Sequence, residues 1–302
     1  MTLARLQKII TGSLITAALA WWLYFHQQFP LLALGGALLL TLGYVLVLAI
    51  EFLLVRTTYV NAKDDIPRAT WRELIGAWFH EVLVAPQVFC WRQPFFADRF
   101  PDKLPASTVR QGQRGLILVH GFFCNRGFWA PWLQQLDDRG HAFIALNLEP
   151  IFGSIDSYIT PIDAAVARLT EVSGMPPVIV CHSMGGLAVR AWIKATQSDQ
   201  RVHHVVTIGT PHLGTWLARL GHGENSHQMR VGSAWQAQLN EGVTASRKVL
   251  FTCWYSNSDN IVFPAANATL PGADNRLIRG VAHVQLAFLP QVIDDTLARL
   301  ES

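Results

Sequence analysis

The sequence predicts an α/β fold: a mostly parallel sheet covered by helices on both faces, preceded by a transmembrane helical hairpin. Three observations carry this. From about residue 114 onward, short runs rich in β-branched residues alternate with segments of helical spacing, the rhythm of successive βα units. Those short runs are apolar throughout, as strands covered on both faces must be. Two long apolar stretches without a charged residue, 9–25 and 31–50, open the chain.

The hairpin comes first. At about 1.5 Å per residue the second stretch is about 30 Å long and matches a hydrocarbon core, while the first is near the lower limit for crossing. Only His26, Gln27, Gln28, Phe29 and Pro30 separate them, so an antiparallel pair of helices is expected over residues 1–58. Trp21, Trp22 and Tyr24 sit where the first helix leaves the hydrocarbon, a depth that favours amphipathic rings. A cleaved signal peptide is the competing explanation, but aromatic residues and a second apolar helix replace the small-residue cleavage site it needs. Arg5 and Lys8 precede the hairpin, and Arg56, Lys63, Arg68 and Arg72 follow it, while its loop has neither Lys nor Arg. That asymmetry predicts a bacterial inner-membrane protein with both termini and the folded domain in the cytoplasm. A failure of the short first helix to span would leave one crossing and an exported domain.

Residues 59–112 form a connector. Thr70 and Glu73 make a capping-box pair, and Trp71, Leu74, Ile75, Trp78, Phe79, Val82 and Leu83 recur on one helical face. That face either lies in the membrane interface or packs on the folded domain. Pro86, Pro94, Pro101 and Pro105 then predict an interrupted chain of short pieces.

Residues 113–302 are expected to be the main domain. Its clearest strands are LILVH, FIALNL, PPVIVCH and VHHVVTIG, with helical spacing over 129–139, 162–172 and 187–197. Active sites of such sheets sit at the carboxyl ends of the strands. Just there, Cys181, His182, Ser183, Met184, Gly185 and Gly186 lie between a strand and a helix, the context of a nucleophile elbow. A sharp turn lifts the serine hydroxyl clear of the sheet and needs small neighbours, which Gly185 and Gly186 supply. The usual pattern is GxSxG; Cys181 stands where its first glycine would be.

CHSMGG, the HGFFCNRGFW run at 120–129 and GTPHLGT at 209–215 resemble bacterial lipases and esterases of the α/β-hydrolase superfamily, over roughly residues 114–300. The resemblance implies a serine hydrolase of carboxylic esters. It also implies an oxyanion hole formed by the backbone amides of Phe122 and Met184; two rigid amides aimed at a developing oxyanion are worth several kcal/mol. The acid and then the histidine should follow the serine, each beyond a late strand. The apolar run 249–255 leads into Ser256, Asn257, Ser258, Asp259 and Asn260, which resembles the family's acid loop, and makes Asp259 the candidate acid, with Glu149 and Asp156 as alternatives. A last strand over 276–281 precedes His283, the candidate base, and a final helix starts at Pro290. His182, His203, His204 and His212 lack that context.

Residues 213–242 interrupt the strand pattern where lipases carry a lid, and Trp216, Leu217, Leu220, Met229 and Trp235 give it apolar surface. Together with the anchor, this points to a hydrophobic, lipid-like ester as substrate and to membrane lipid as the surrounding partner. An acyltransferase using the same residues, or a noncatalytic membrane scaffold, are the rival classes.

Composition is consistent with this reading. Hydrophobic residues make up 51% of the 302 and charged ones 15%, a balance tilted toward lipid contact. Net charge is +3, with Lys and Arg scattered, so nucleic acid is not an expected partner. Cys90, Cys124, Cys181 and Cys253 form no CxxC pair, which predicts core thiols rather than a zinc site or a disulfide framework, and the chemistry calls for no cofactor.

Overall fold

Six parallel strands form one sheet in the order β2-β1-β3-β4-β5-β6. They are β1 (Leu116–Val119), β2 (Phe143–Ala145), β3 (Val178–His182), β4 (His204–Ile208), β5 (Phe251–Ser256) and β6 (Asp274–Ile278). The computed structural model describes residues 2–58, 66–104, 113–243, 247 and 250–301. Lys63, Pro105 and the first residue of the run beginning at 249 lie outside these.

Alternation along the strands divides the core in two. Ile117, Val119, Ile179, Cys181 and Val205 face one side, packed against helices α6 (Ile159–Ser173) and α7 (Met184–Thr196). Leu116, Leu118, Val178, Val180, Val206 and Ile208 face the other. Helices α5 (Ala130–Asp138) and α11 (Pro290–Ala298) cover that side. Both faces are buried, which is why the strands read as unbroken apolar runs. The chain starts in the middle of the sheet at β1, turns out to β2, and resumes at β3 on the other side of β1. The carboxyl ends of β1 and β3 therefore flank a topological switch point, where such sheets hold their ligands.

Two antiparallel helices, α1 (Leu3–Phe25) and α2 (Pro30–Thr58), precede the sheet. Trp21 Nε1 donates to the Leu32 carbonyl at 3.0 Å, and Gly36 lies so close to the Trp21 ring that a Cβ would stand 1.9 Å from Nε1. Both helices are long and apolar enough to cross a membrane, and they expose Ile9, Leu19, Leu23, Leu31, Leu39 and Leu46.

A third segment, Trp71–Phe96, also meets that criterion. It is continuous through two prolines: α3 (Trp71–Pro86), a π-helical stretch Gln87–Arg92, and α4 (Gln93–Phe96). The expectation of a chain broken at Pro86 and Pro94 is thus corrected. Proline removes the hydrogen bond to the carbonyl four residues back and crowds it. Here the carbonyl that Pro86 leaves unpaired, Val82 O, accepts from the Tyr44 hydroxyl of α2 at 3.0 Å. The wider π-turns that follow keep the chain helical past the obstacle. The predicted cap is present: the Thr70 side chain accepts from Glu73 N, and Glu73 reaches back to Thr70 N at 2.8 Å.

One face of α3 is an exposed apolar stripe of Trp71, Ile75, Phe79 and Leu83. Its opposite face, Leu74 and Ala77, is buried with Phe52 and Val55 of α2 and with Phe263 and Ala282 of the sheet domain. The N-terminal helices are therefore docked on the domain at the level of its late loops.

Candidate active site

Ser183 occupies the turn between β3 and α7 with φ 53° and ψ −128°, a conformation that costs an L-residue about 1–3 kcal/mol. Its surroundings hold it there. Ser183 N donates to Ile208 O at 2.9 Å, and its own carbonyl accepts from Gly186 N at 3.1 Å and from Thr210 Oγ1 at 2.9 Å. Gly185 and Gly186 are needed for close approach: a Cβ at Gly185 would stand 2.4 Å from Val119 O, and one at Gly186 2.2 Å from Thr210 Oγ1. Cys181 replaces the first glycine of the usual elbow without conflict because its side chain points into the α6/α7 core. Burial pushes its thiol well above the ordinary cysteine range, so it is inert packing rather than a second nucleophile.

His120 and Gly121 follow β1. Leu148 N donates to His120 Nε2 at 3.0 Å, which places the ring proton on Nδ1, and Nδ1 donates to Gly121 O at 2.9 Å. Burial keeps this imidazole neutral, its pKa lowered to about 4. Holding Gly121 O fixes the peptide plane, so the Phe122 N–H, on the opposite edge of a trans peptide, points away from His120. Gly121 itself abuts Ser183; a Cβ on it would lie 2.7 Å from Ser183 Cβ. Met184 N is the first amide of α7, at the positive end of that helix.

Beyond β5, Asp259 is 2% exposed. Its Oδ1 accepts from Ile261 N and Val262 N, both at 2.8 Å, and its Oδ2 lies 2.8 Å from His283 Nδ1. Of the alternative acids, Glu149 is exposed and Asp156 accepts from Trp235 Nε1 at 2.9 Å; neither bonds to His283. His283 begins the short helix α10 (His283–Leu286). Burial works to lower its pKa, but the Asp259 charge and hydrogen bond, with Glu81 and Glu51 behind them, carry it above the usual imidazole range. His182, next to Ser183, bonds through Nε2 to His283 O at 3.2 Å, and the two rings lie 4.6 Å apart. Burial holds His182 well below the ordinary range, leaving it a neutral donor.

Asp259 and His283 are thus joined directly. Ser183 stands one peptide away from the His182 ring, which packs on His283, and among the described residues its hydroxyl makes no hydrogen bond. Catalytic contacts of this kind are commonly loose without substrate.

Several contributors had no signature in local sequence. Glu81 of α3 accepts from Val284 N at 3.0 Å and Gln285 N at 3.2 Å; Glu51 of α2 accepts from Asn260 Nδ2 at 2.7 Å; Gln93 of α4 accepts from Asn125 N at 2.7 Å, below the His120–Gly121 turn. The available signals were weak: Glu51 ends the apolar stretch 31–50, and Glu81 is a charge near the apolar face of an amphipathic helix.

Residues 213–242 hold a 3₁₀ turn (Trp216–Leu220), α8 (Glu224–Gln228) and α9 (Ala234–Asn240). Asn225 Nδ2 donates to Ile151 O at 2.8 Å, and Gln228 Oε1 accepts from Ile155 N at 2.7 Å, pinning this region to the loop after β2. Exposed Phe152 from that loop packs with Phe122 and Phe123, ring centroids 5.8 and 6.4 Å away, so an aromatic cluster borders Gly121.

Comparison with known proteins follows the same lines. The family model "PGAP1-like alpha/beta domain" matches residues 169–272, from α6 to the edge of β6. Among solved structures, the mature form of Bacillus licheniformis lipase BlEst2 is similar over 65% of this chain and 96% of its own, with TM-score 0.56 and 16% identity. Aspergillus fumigatus lipase B is similar over 63% of this chain and 53% of its own, about half its length, with TM-score 0.54 and 20% identity. Identities this low speak for the fold and leave the chemistry to the residues. The sheet order, the turn at Ser183 and these likenesses together make the chain an α/β-hydrolase by fold.

Proposed function

We propose that this protein is a membrane-anchored serine hydrolase that cleaves carboxylic esters of hydrophobic, lipid-like substrates. The observation that carries the proposal is the buried Asp259–His283 pair, 2.8 Å apart, packed beside a serine held at positive φ between β3 and α7. In this reading His283 Nε2 takes the proton of Ser183 Oγ as that oxygen bonds to the ester carbonyl carbon, and the carbonyl electron pair moves onto oxygen, where Phe122 N and Met184 N receive it. Collapse expels the alcohol, which takes the proton from His283. Water then attacks the acyl-enzyme by the same route, releasing the acid and restoring the serine. The pose of His120 favours Phe122 N as an oxyanion donor.

The lipid-like substrate is supported by where the site opens. Phe122, Phe123 and Phe152 border it, Leu213, Leu220 and Val231 of the 213–242 segment expose further apolar surface, and the docked helices carry the α3 stripe alongside. We read 213–242 as the lid. On p-nitrophenyl esters, kcat/KM should rise roughly fourfold per added methylene from acetate toward medium chains, as about 0.8 kcal/mol per buried CH₂ implies. Acetate as the best substrate of the series would reduce the protein to a small-ester esterase.

For topology we favour a crossing hairpin, α1 and α2, with α3 lying at the interface and the catalytic domain in the cytoplasm. If α3 also crossed, the domain would emerge on the other side, but Glu73 pairs with Arg279 at 2.8 Å and Glu81 is buried against α10, which hold α3 along the domain surface. The charge asymmetry around the hairpin agrees, as do thiols that form no disulfide. Alkaline phosphatase fused after Ser302 should be inactive in cells; strong activity there would mean an exported domain.

A further inference from the structure

The start of α10 poses a problem that its own sequence does not solve. A helix N-terminus leaves amides without intrahelical partners, and Ala282, at the cap position, has no side-chain oxygen to offer them. The amides of His283, Val284 and Gln285 are met from elsewhere: Asn260 Oδ1 takes the first at 3.2 Å, and the two oxygens of Glu81 take the second and third at 3.0 and 3.2 Å. Glu81 is 2% exposed and forms no ion pair among the described residues. A buried carboxylate with two amide partners and no cation is expensive to keep: burial raises the Glu81 pKa to about 7, against the two amide bonds and the His283 charge that lower it. Behind Asn260, its amide group donates to Glu51 at 2.7 Å. The peptide that carries His283 is therefore held through two carboxylates on α2 and α3.

We propose that Glu81, with Glu51 behind Asn260, is a positioning residue for His283: it caps the helix that bears the base in place of Ala282, and in its ionised form it supports the imidazolium formed when Ser183 gives up its proton. This rests on the reading of Ser183 and His283 as nucleophile and base. Three carboxylates then surround one imidazole: Asp259 at Nδ1, Glu81 under the two following amides, and Glu51 beyond Asn260. The other titratable ring against it, His182, is neutral and donates to its carbonyl. The raised pKa of His283, to which Asp259, Glu81 and Glu51 all contribute, agrees with this arrangement. Because Glu51 and Glu81 belong to the membrane-proximal helices, the seating of those helices sets the geometry of the base.

The test uses the full chain in detergent micelles, with p-nitrophenyl butyrate hydrolysis followed across pH and fluorophosphonate labelling in parallel. In Glu81→Gln, kcat should fall about 10- to 100-fold with KM within twofold, and the acid limb of kcat/KM should move to lower pH by about half a unit or more, because a charge favouring the protonated ring is gone. Glu81→Asp keeps the charge and should return the limb to its wild-type position. Glu51→Gln, whose amide can still accept from Asn260, should move the limb the same way with a loss below tenfold. A folded Glu81→Gln with an unmoved limb overturns the proposal, whether or not kcat falls, since a structural role alone would not shift it. Should Glu81→Gln fail to fold, Glu51→Gln decides, and an unmoved limb there overturns it equally. A wild-type protein that neither labels nor hydrolyses would instead dismiss the hydrolase reading itself.

Discussion

Ser183→Ala is expected to lower kcat/KM for p-nitrophenyl esters by at least about 10⁴-fold and to abolish fluorophosphonate labelling, with the protein still folded. The size follows from the chemistry: without Oγ no acyl-enzyme forms, and only the oxyanion donors and binding surface remain. The folded state should barely notice. Among the described residues the hydroxyl makes no hydrogen bond, the turn is held through the Ser183 backbone by Ile208 O and Thr210 Oγ1, and deleting an unpaired buried hydroxyl is close to neutral. Thermal unfolding of the variant within a degree or two of wild type, together with lost labelling, is the expected pair of results. A folded Ser183→Ala that keeps its turnover would move the nucleophile elsewhere.

Asp259→Asn should cost about 10³- to 10⁴-fold in kcat, less than loss of the serine and by a different route. The Asn carbonyl can still accept from Ile261 N and Val262 N, so the loop keeps its shape. Its amide nitrogen, however, would face His283 Nδ1 and donate to it, forcing the ring proton onto Nε2, where a base must be free to accept. The pH profile should carry a second mark. Asp259 charge raises the His283 pKa in the wild type, so activity there falls as pH drops through a value above the ordinary imidazole range near 6.5. In the variant that acid limb should lie at lower pH. A wild-type rate and limb in Asp259→Asn would exclude it as the orienting acid.

How much of this could be read from sequence depended on the range of the interactions. Strands buried on both faces announce themselves locally, so β1, β3, β4 and β5 were legible as apolar runs, and Gly185 and Gly186 marked the turn at Ser183 because close approach to Val119 of β1 and to Thr210 leaves them no alternative. β6 was displaced: it runs over Asp274–Ile278, earlier than the strand expected over 276–281, since an edge strand needs fewer apolar residues and its start carries Asp274 and Asn275. The continuity of α3 into α4 was illegible because its condition is a tyrosine hydroxyl 38 residues upstream that satisfies Val82 O. Glu81 was illegible for the same kind of reason: its partners are amides 203 and 204 residues downstream, and nothing near Ala282 signals a missing cap.

The tie between Tyr44 and Val82 also fixes a length. Together with Trp78 Nε1 on Val45 O at 3.1 Å, it binds α3 to α2 at residues 44 and 45, so the part of α2 that projects beyond this junction runs from Pro30 to Tyr44, about 21 Å at the α-helical rise. A hydrocarbon core is about 30 Å thick. A hairpin that reaches the far interface therefore leaves roughly a third of the bilayer's depth to be met on the near side, and what stands there is the stripe of Trp71, Ile75, Phe79 and Leu83. On the proposed topology, crossing by the hairpin and immersion of α3 are a single condition, and the sheet domain would ride sunk into one leaflet rather than suspended above it.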